Sequence, residues 1–98
     1  MRIVFTKEAK RDLEELRRYL EPLSPKGLAN VVATLERRIM IASEHPRSGR
    51  PTPRPDVREA VEPRYGFAIP LYAHCGHFYV LRVYRSMRRQ LDYSELKI

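Results

Sequence analysis

Ninety-eight residues, 43% of them hydrophobic, suffice for one small core and leave no material for a second domain. The chain carries 19 Lys+Arg against 12 Asp+Glu, a formal net charge of +7 and a pI near 10.0, which points to acidic partners: nucleic acid, an acidic protein surface or a disordered acidic binder. One cysteine, Cys75, excludes an internal disulfide; no apolar run reaches membrane-spanning length, the opening MRIVFTKEAKRDL is too short in apolar content for a secretory signal, and the expected location is the cytoplasm.

Residues 2–5 read as a short strand with Ile3 and Phe5 on one face. Thr6 follows as a helix N-cap, its hydroxyl placed to accept from an unpaired first-turn N–H. Ala9, Leu13, Leu16 and Leu20 then recur at helical spacing, which predicts an amphipathic helix over 7–20. Its polar face carries Lys7, Arg11, Glu14, Glu15 and Arg18, with Glu14 four residues ahead of Arg18 in the favourable order. Pro22 stops it. Ser24-Pro25 opens a second helix, Ser as N-cap and Pro at the first helical position. Leu28, Val31, Val32, Leu35, Ile39 and Ala42 form its stripe, and Pro46 disfavours helical geometry at His45, so it ends at 43 or 44. The short connection makes the two helices a hairpin.

Residues 46–55 hold four prolines and Gly49, which excludes regular structure and leaves a stiff, arginine-bearing crossover. Residues 57–62 alternate Val57, Glu59 and Val61 against Arg58, Ala60 and Glu62, a half-exposed strand whose glutamates read as solvated or paired with arginine. Residues 67–73 and 78–83, rich in aromatic and β-branched side chains and joined by His74-Cys75-Gly76-His77, read as a β-hairpin. Phe67, Ile69 and Leu71 share one face of the first strand; Tyr79, Leu81 and Val83 share one face of the second, with Phe78, Val80 and Arg82 opposite. Pro70 lacks a ladder donor, so an irregularity or an unpaired N–H position is expected there. Residues 90–98 read as a polar tail with one short helical turn or an edge segment. The order β-α-α-β-β-β predicts an α+β domain: a small antiparallel sheet with the N-terminal helical hairpin packed on one face.

Two surfaces stand out. Arg82, Arg85, Arg88 and Arg89 gather at the end of the last strand as a cationic rim for carboxylate or phosphate. On the hairpin, Tyr19, Val32, Met40 and Ile41 form an apolar excess suited to a partner groove. His74, Cys75 and His77 have zinc-type donors but no fourth ligand nearby, and read as a turn, with no metal or cofactor expected. Ser48 and Ser86 have no histidine–acid partners in view for nucleophilic catalysis.

Several segments in order resemble one family. They are FTKEAKRDLEEL with Ala9, Asp12 and Leu13; the helix opening at Ser24-Pro25; HPRSGRP with Pro46, Gly49 and Arg50; VREAV with Val57, Arg58 and Glu59; and FYVLRVYRSMRR with Leu81, Arg82, Val83 and Arg88. Together they resemble the RelE/ParE superfamily of type II toxin–antitoxin toxins, closer to the ParE branch, and cover nearly the whole chain. The resemblance implies a toxin that poisons DNA gyrase by binding, without catalysis, and a cognate ParD-like antitoxin whose acidic C-terminal segment folds onto it. Operator DNA would then be reached only through the antitoxin. Placed on the surfaces read above, target contact is expected through Arg82, Arg85, Arg88 and Arg89, and antitoxin contact through Leu16, Tyr19, Leu20, Val32 and Met40. The chain departs from many relatives in placing Arg85 where they carry a histidine after the last strand.

The RelE branch supplies the alternative, a ribosome-dependent mRNA endoribonuclease, with Arg85, Arg88 and Tyr93 as its candidate catalytic residues. A phenol with an ordinary pKa of about 10 needs strongly basic neighbours to act as a base. A third reading is a basic nucleic-acid-binding module with no toxic role. Inhibition of supercoiling without ribosomal RNA cleavage, loss of mRNA cleavage on Tyr93→Phe, and salt-dependent binding to bare nucleic acid separate the three.

Overall fold

The computed structural model describes residues 1–85 and 93–96. The elements are β1 (Arg2–Phe5), α1 (Lys7–Leu20), α2 (Pro25–Glu44), β2 (Arg50–Pro51), β3 (Arg58–Glu62), β4 (Phe67–His74), β5 (His77–Val80), β6 (Tyr84–Arg85) and a 3₁₀ turn, Tyr93–Glu95. The caps act as their residue types dictate. Thr6 Oγ1 accepts from Ala9 N at 3.2 Å, and Ser24 Oγ accepts from Gly27 N at 2.9 Å. Glu14 pairs with Arg18 as the spacing predicts, and also with Arg17.

The strand order is β1-β5-β4-β3-β2, with β6 beside β4. The α+β class is as the sequence predicts, but the sheet is mixed. β1 lies parallel to β5, Arg2 opposite His77 and Phe5 opposite Val80, whereas every other ladder is antiparallel. Parallel neighbours need a long crossover, and the helical hairpin with β2 to β4 provides it. That pairing aligns Ile3 and Phe5 with Phe78 and Val80, all four packed in the main core beneath the helices.

Val31, Leu35, Ile39 and Ala42 of α2 and Ala9 of α1 meet Ala60, Phe67, Ile69, Leu71, Phe78, Val80 and Val83 in that core. Burying a ring such as Phe78, 1% exposed, contributes about 1.5–3 kcal/mol. The opposite face of the sheet is covered as well, where a one-sided sheet was expected. Val57, Leu81 and Leu96 form a second small core flanked by Tyr72, Tyr79 and Tyr93. The Arg54 guanidinium donates to Leu96 O at 3.1 Å and anchors the C-terminal turn. The helical turn expected in the polar tail exists, and its Leu96 is an apolar plug.

The last two strands are one strand interrupted by a bulge. Leu71 pairs with Val80 and Ala68 with Tyr84, so three steps along β4 face four along its partner. The bulge lies opposite Pro70, where the irregularity was expected. Leu81 N donates to Pro70 O at 2.9 Å; the reciprocal bond to Leu81 O is impossible because Pro70 has no N–H. Thr6 Oγ1 supplies the missing donor to Leu81 O at 2.9 Å. Asp12 holds the other side of the bulge: its carboxylate accepts from Val83 N at 2.9 Å and from the Arg82 fork at 2.7 and 3.0 Å. The first two turns of α1 thus clamp the bulge. The extra residue resets the alternation, so Val83 joins the helix-side core while Leu81 joins the other. The predicted common face for Tyr79, Leu81 and Val83 is corrected accordingly.

Candidate functional site

The bulge aims consecutive side chains of β6 at opposite faces of the sheet. Arg85 pairs with Phe67 and lies on the helix side, its guanidinium carbon 5.4 Å from the Phe67 ring centroid, within cation–π range. There it lines an open cleft of about 470 Å³ between α1 and β6, together with Asp12, Leu16, Tyr19, Arg82 and Tyr84. Residues assigned from the sequence to two different partners therefore share one cavity: Leu16 and Tyr19 from the helical surface, Arg82 and Arg85 from the rim.

Arg82 is not a free rim cation. Its guanidinium and the Asp12 carboxylate are 21% and 12% exposed, and the paired hydrogen bonds hold the Arg82 pKa above its ordinary value. Its charge is committed to the bulge clamp, which leaves Arg85 as the cleft's outward cation among the described residues. Arg88 and Arg89 lie outside the described residues. On the hairpin, Leu16 and Leu20 pack partly against the main core, Val32 is half-buried, and Tyr19 and Met40 are 57% and 53% exposed.

Tyr84 points to the other face, where its hydroxyl donates to Glu59 Oε2 at 3.2 Å. Burial first, and then the Glu59 charge, push the Tyr84 phenol up to about 12. The second Glu59 oxygen accepts from Arg50 Nη2, and Glu59 is 5% exposed while the Arg50 side chain is 64% exposed. A buried carboxylate thus tethers an outward arginine. Sequence reading anticipated a glutamate–arginine pairing on this strand; the Tyr84 contact was invisible because it depends on the bulge. Glu62 is not solvated, and among the described residues it forms no ion pair with arginine. It is 1% exposed, and its carboxylate accepts from Arg64 N at 2.6 Å and Tyr65 N at 2.9 Å, closing the turn between β3 and β4.

Tyr93, the candidate base of the ribonuclease alternative, has its hydroxyl buried without a hydrogen-bond partner among the described residues, and its ring packs against the second core. His74 and His77 flank a tight turn at the tip of the β4–β5 hairpin. Cys75 and Gly76 both take positive φ, 48° and 77°, as a two-residue primed turn requires. Among the described residues no three His, Cys, Asp or Glu side chains gather as metal ligands.

Residues 3–90 match the family described as the ParE toxin of the type II toxin–antitoxin system parDE. The chain belongs to the ParE toxin family. A chain of the chromosomal ParDE toxin–antitoxin system from P. aeruginosa shares the fold, with a TM-score of 0.73 and 23% identity over 87% of this chain and 95% of that one. No curated protein matches the sequence. The ParE match runs from β1 through β6, so it spans both walls of the cleft and the clamp that shapes it.

Proposed function

We propose that this ParE-family toxin acts by binding DNA gyrase through the cleft between α1 and β6, and that a cognate ParD-like antitoxin silences it by covering the same cleft. The observation that carries the reading is the placement of Arg85 beside Leu16 and Tyr19 in one open cavity. An arginine held over the Phe67 ring presents its donors to a carboxylate at reduced entropic cost, and the apolar wall excludes competing water. An acidic amphipathic segment seated on Leu16 and Tyr19 would mask Arg85, so binding and neutralisation become mutually exclusive. The shielded oxygen of Tyr93 favours binding over RNA cleavage.

The test is a supercoiling assay with purified gyrase. The toxin inhibits supercoiling, Arg85→Ala loses that inhibition about tenfold or more while its thermal melt is unchanged, and added antitoxin restores supercoiling. Full inhibition by a folded Arg85→Ala protein would remove the cleft from the mechanism. Ribosome-dependent mRNA cleavage abolished by Tyr93→Phe would replace gyrase with the ribosome as target.

A further inference from the structure

A second groove lies between the C-terminal half of α2 and β3. It encloses about 290 Å³ and is lined by Arg38, Ile41, Ala42, Arg50, Glu59 and Val61 among others. None of the family segments read from the sequence points to it as a site. Three observations make it a place where a chain can dock.

The first is an open sheet edge. β2 pairs only with Arg58 and Glu59, and β3 continues to Glu62. The direction in which the β3 amides point follows from the ladder. Pro70 turns its carbonyl to Leu81, away from β3, so its partner Glu59 directs its own backbone groups toward β2. Val61, two residues on, directs its N–H and C=O the same way, past the end of β2. No described residue pairs with it there. The second observation is apolar surface beside that edge: Ile41 is 45% and Val61 41% exposed. The third is charge. Arg38 lines the groove, and Arg50 stands at it with 64% of its side chain exposed, tethered to Glu59, whose charge is met by Arg50 and Tyr84.

We infer that this groove takes an extended, acidic–apolar segment of the antitoxin as an added strand on the β3 edge. The segment's backbone pairs with Val61, its apolar side chains lie on Ile41 and Val61, and its carboxylates meet Arg38 and Arg50. Side chains of the incoming strand alternate between the two faces of the sheet: those on the α2 side meet Ile41 and Arg38, and those on the opposite side meet Val61 and Arg50. A chain of net charge +7 selects an acidic occupant over a second copy of itself. The inference rests on the reading that an antitoxin binds this toxin, but the groove is separate from the α1–β6 cleft.

Amide hydrogen exchange on the full-length toxin, alone and in complex with the antitoxin encoded beside it, tests the inference without any substitution. Val61 N–H exchanges fast in the free toxin and is slowed about tenfold or more in the complex. Val61→Pro, which removes that donor without breaking a β3–β4 bond, weakens the complex about tenfold, and Val61→Thr does not. Arg38→Glu weakens it as well. A tight complex in which the Val61 amide stays fast, or which Val61→Pro and Arg38→Glu leave unchanged, overturns the inference while preserving the cleft as the antitoxin site. Concentration-dependent protection of Val61 in the toxin alone would assign the edge to a second copy and also overturn it. Absence of any complex would sink both this inference and the antitoxin reading.

Discussion

Replacing Thr6 with valine tests the clamp on the bulge. The substitution preserves shape and removes one hydroxyl that performs two tasks. It caps α1 by accepting from Ala9 N, and it donates to Leu81 O, a carbonyl that Pro70 leaves without a ladder donor. Loss of the cap costs about 1 kcal/mol. Leaving the buried Leu81 carbonyl unsatisfied costs about 1–3 kcal/mol. The sum, about 2–4 kcal/mol, is a large part of the stability of a domain this small. With a urea slope of about 1–3 kcal/mol/M it lowers the unfolding midpoint by about 0.7–4 M at unchanged slope. Thr6→Ser keeps both bonds and most of the stability. The decisive measurement is a double-mutant cycle with Pro70→Ala. An alanine at position 70 restores an N–H facing Leu81 O, so Thr6→Val in that background costs only the cap term, about 1 kcal/mol. Equal costs in the two backgrounds, within about 0.5 kcal/mol, would refute the argument that Thr6 replaces the proline's missing donor.

Asp12→Ala removes the partner of the half-buried Arg82 and the acceptor for Val83 N; equilibrium unfolding should register a loss of about 2–4 kcal/mol, and Arg82→Met should cost a similar amount, because it strands the more buried Asp12 carboxylate with Val83 N as its remaining donor. Gly49→Ala would bring a Cβ to 3.0 Å from Arg58 Cβ and 3.1 Å from Glu59 O; the docking of β2 on β3 should loosen and stability fall by about 1–3 kcal/mol, read by the same denaturation curve. Tyr84 binds its proton more tightly when folded, with its phenol pushed up to about 12 from an ordinary value of 10.0. Its contribution is therefore fully present below pH 10 and is lost as pH rises from about 10 through about 12. Partial exposure screens the effect to about 1 kcal/mol, and Tyr84→Phe should flatten that alkaline limb in a pH series of unfolding midpoints.

On the proposed reading, the cleft couples toxicity to its control. Arg85 reaches it only because the bulge turns β6, and the bulge is held by Thr6 and Asp12 from the first two turns of α1. α1 also supplies Leu16 and Tyr19 to the opposite wall. One helix thus shapes the cationic wall and forms the apolar one, and damage to the clamp is expected to impair target and antitoxin binding together. Arg82 belongs to that support.

Local chemistry is readable from the chain alone. The apolar period of 7–20, Thr6 and Ser24 as caps, Pro25 at a helix start and Pro46 past a helix end act over a few residues, and α1 and α2 fall on the predicted bounds. The turn at Cys75-Gly76 and the trouble at Pro70 are also short-range consequences of residue type. What required tertiary structure was everything set by partners distant in sequence. The parallel pairing of β1 with β5 joins residues more than seventy positions apart. The extra residue in the bulge has no composition signal, yet it reverses the face of each residue that follows and so decides that Arg85 enters the cleft and Tyr84 meets Glu59. Asp12 and Arg82 look like separate surface charges until the fold brings them within 2.7 Å. Periodicity is a property of neighbours along the chain; register and ion pairing are properties of neighbours in space, and only the folded sheet specifies those.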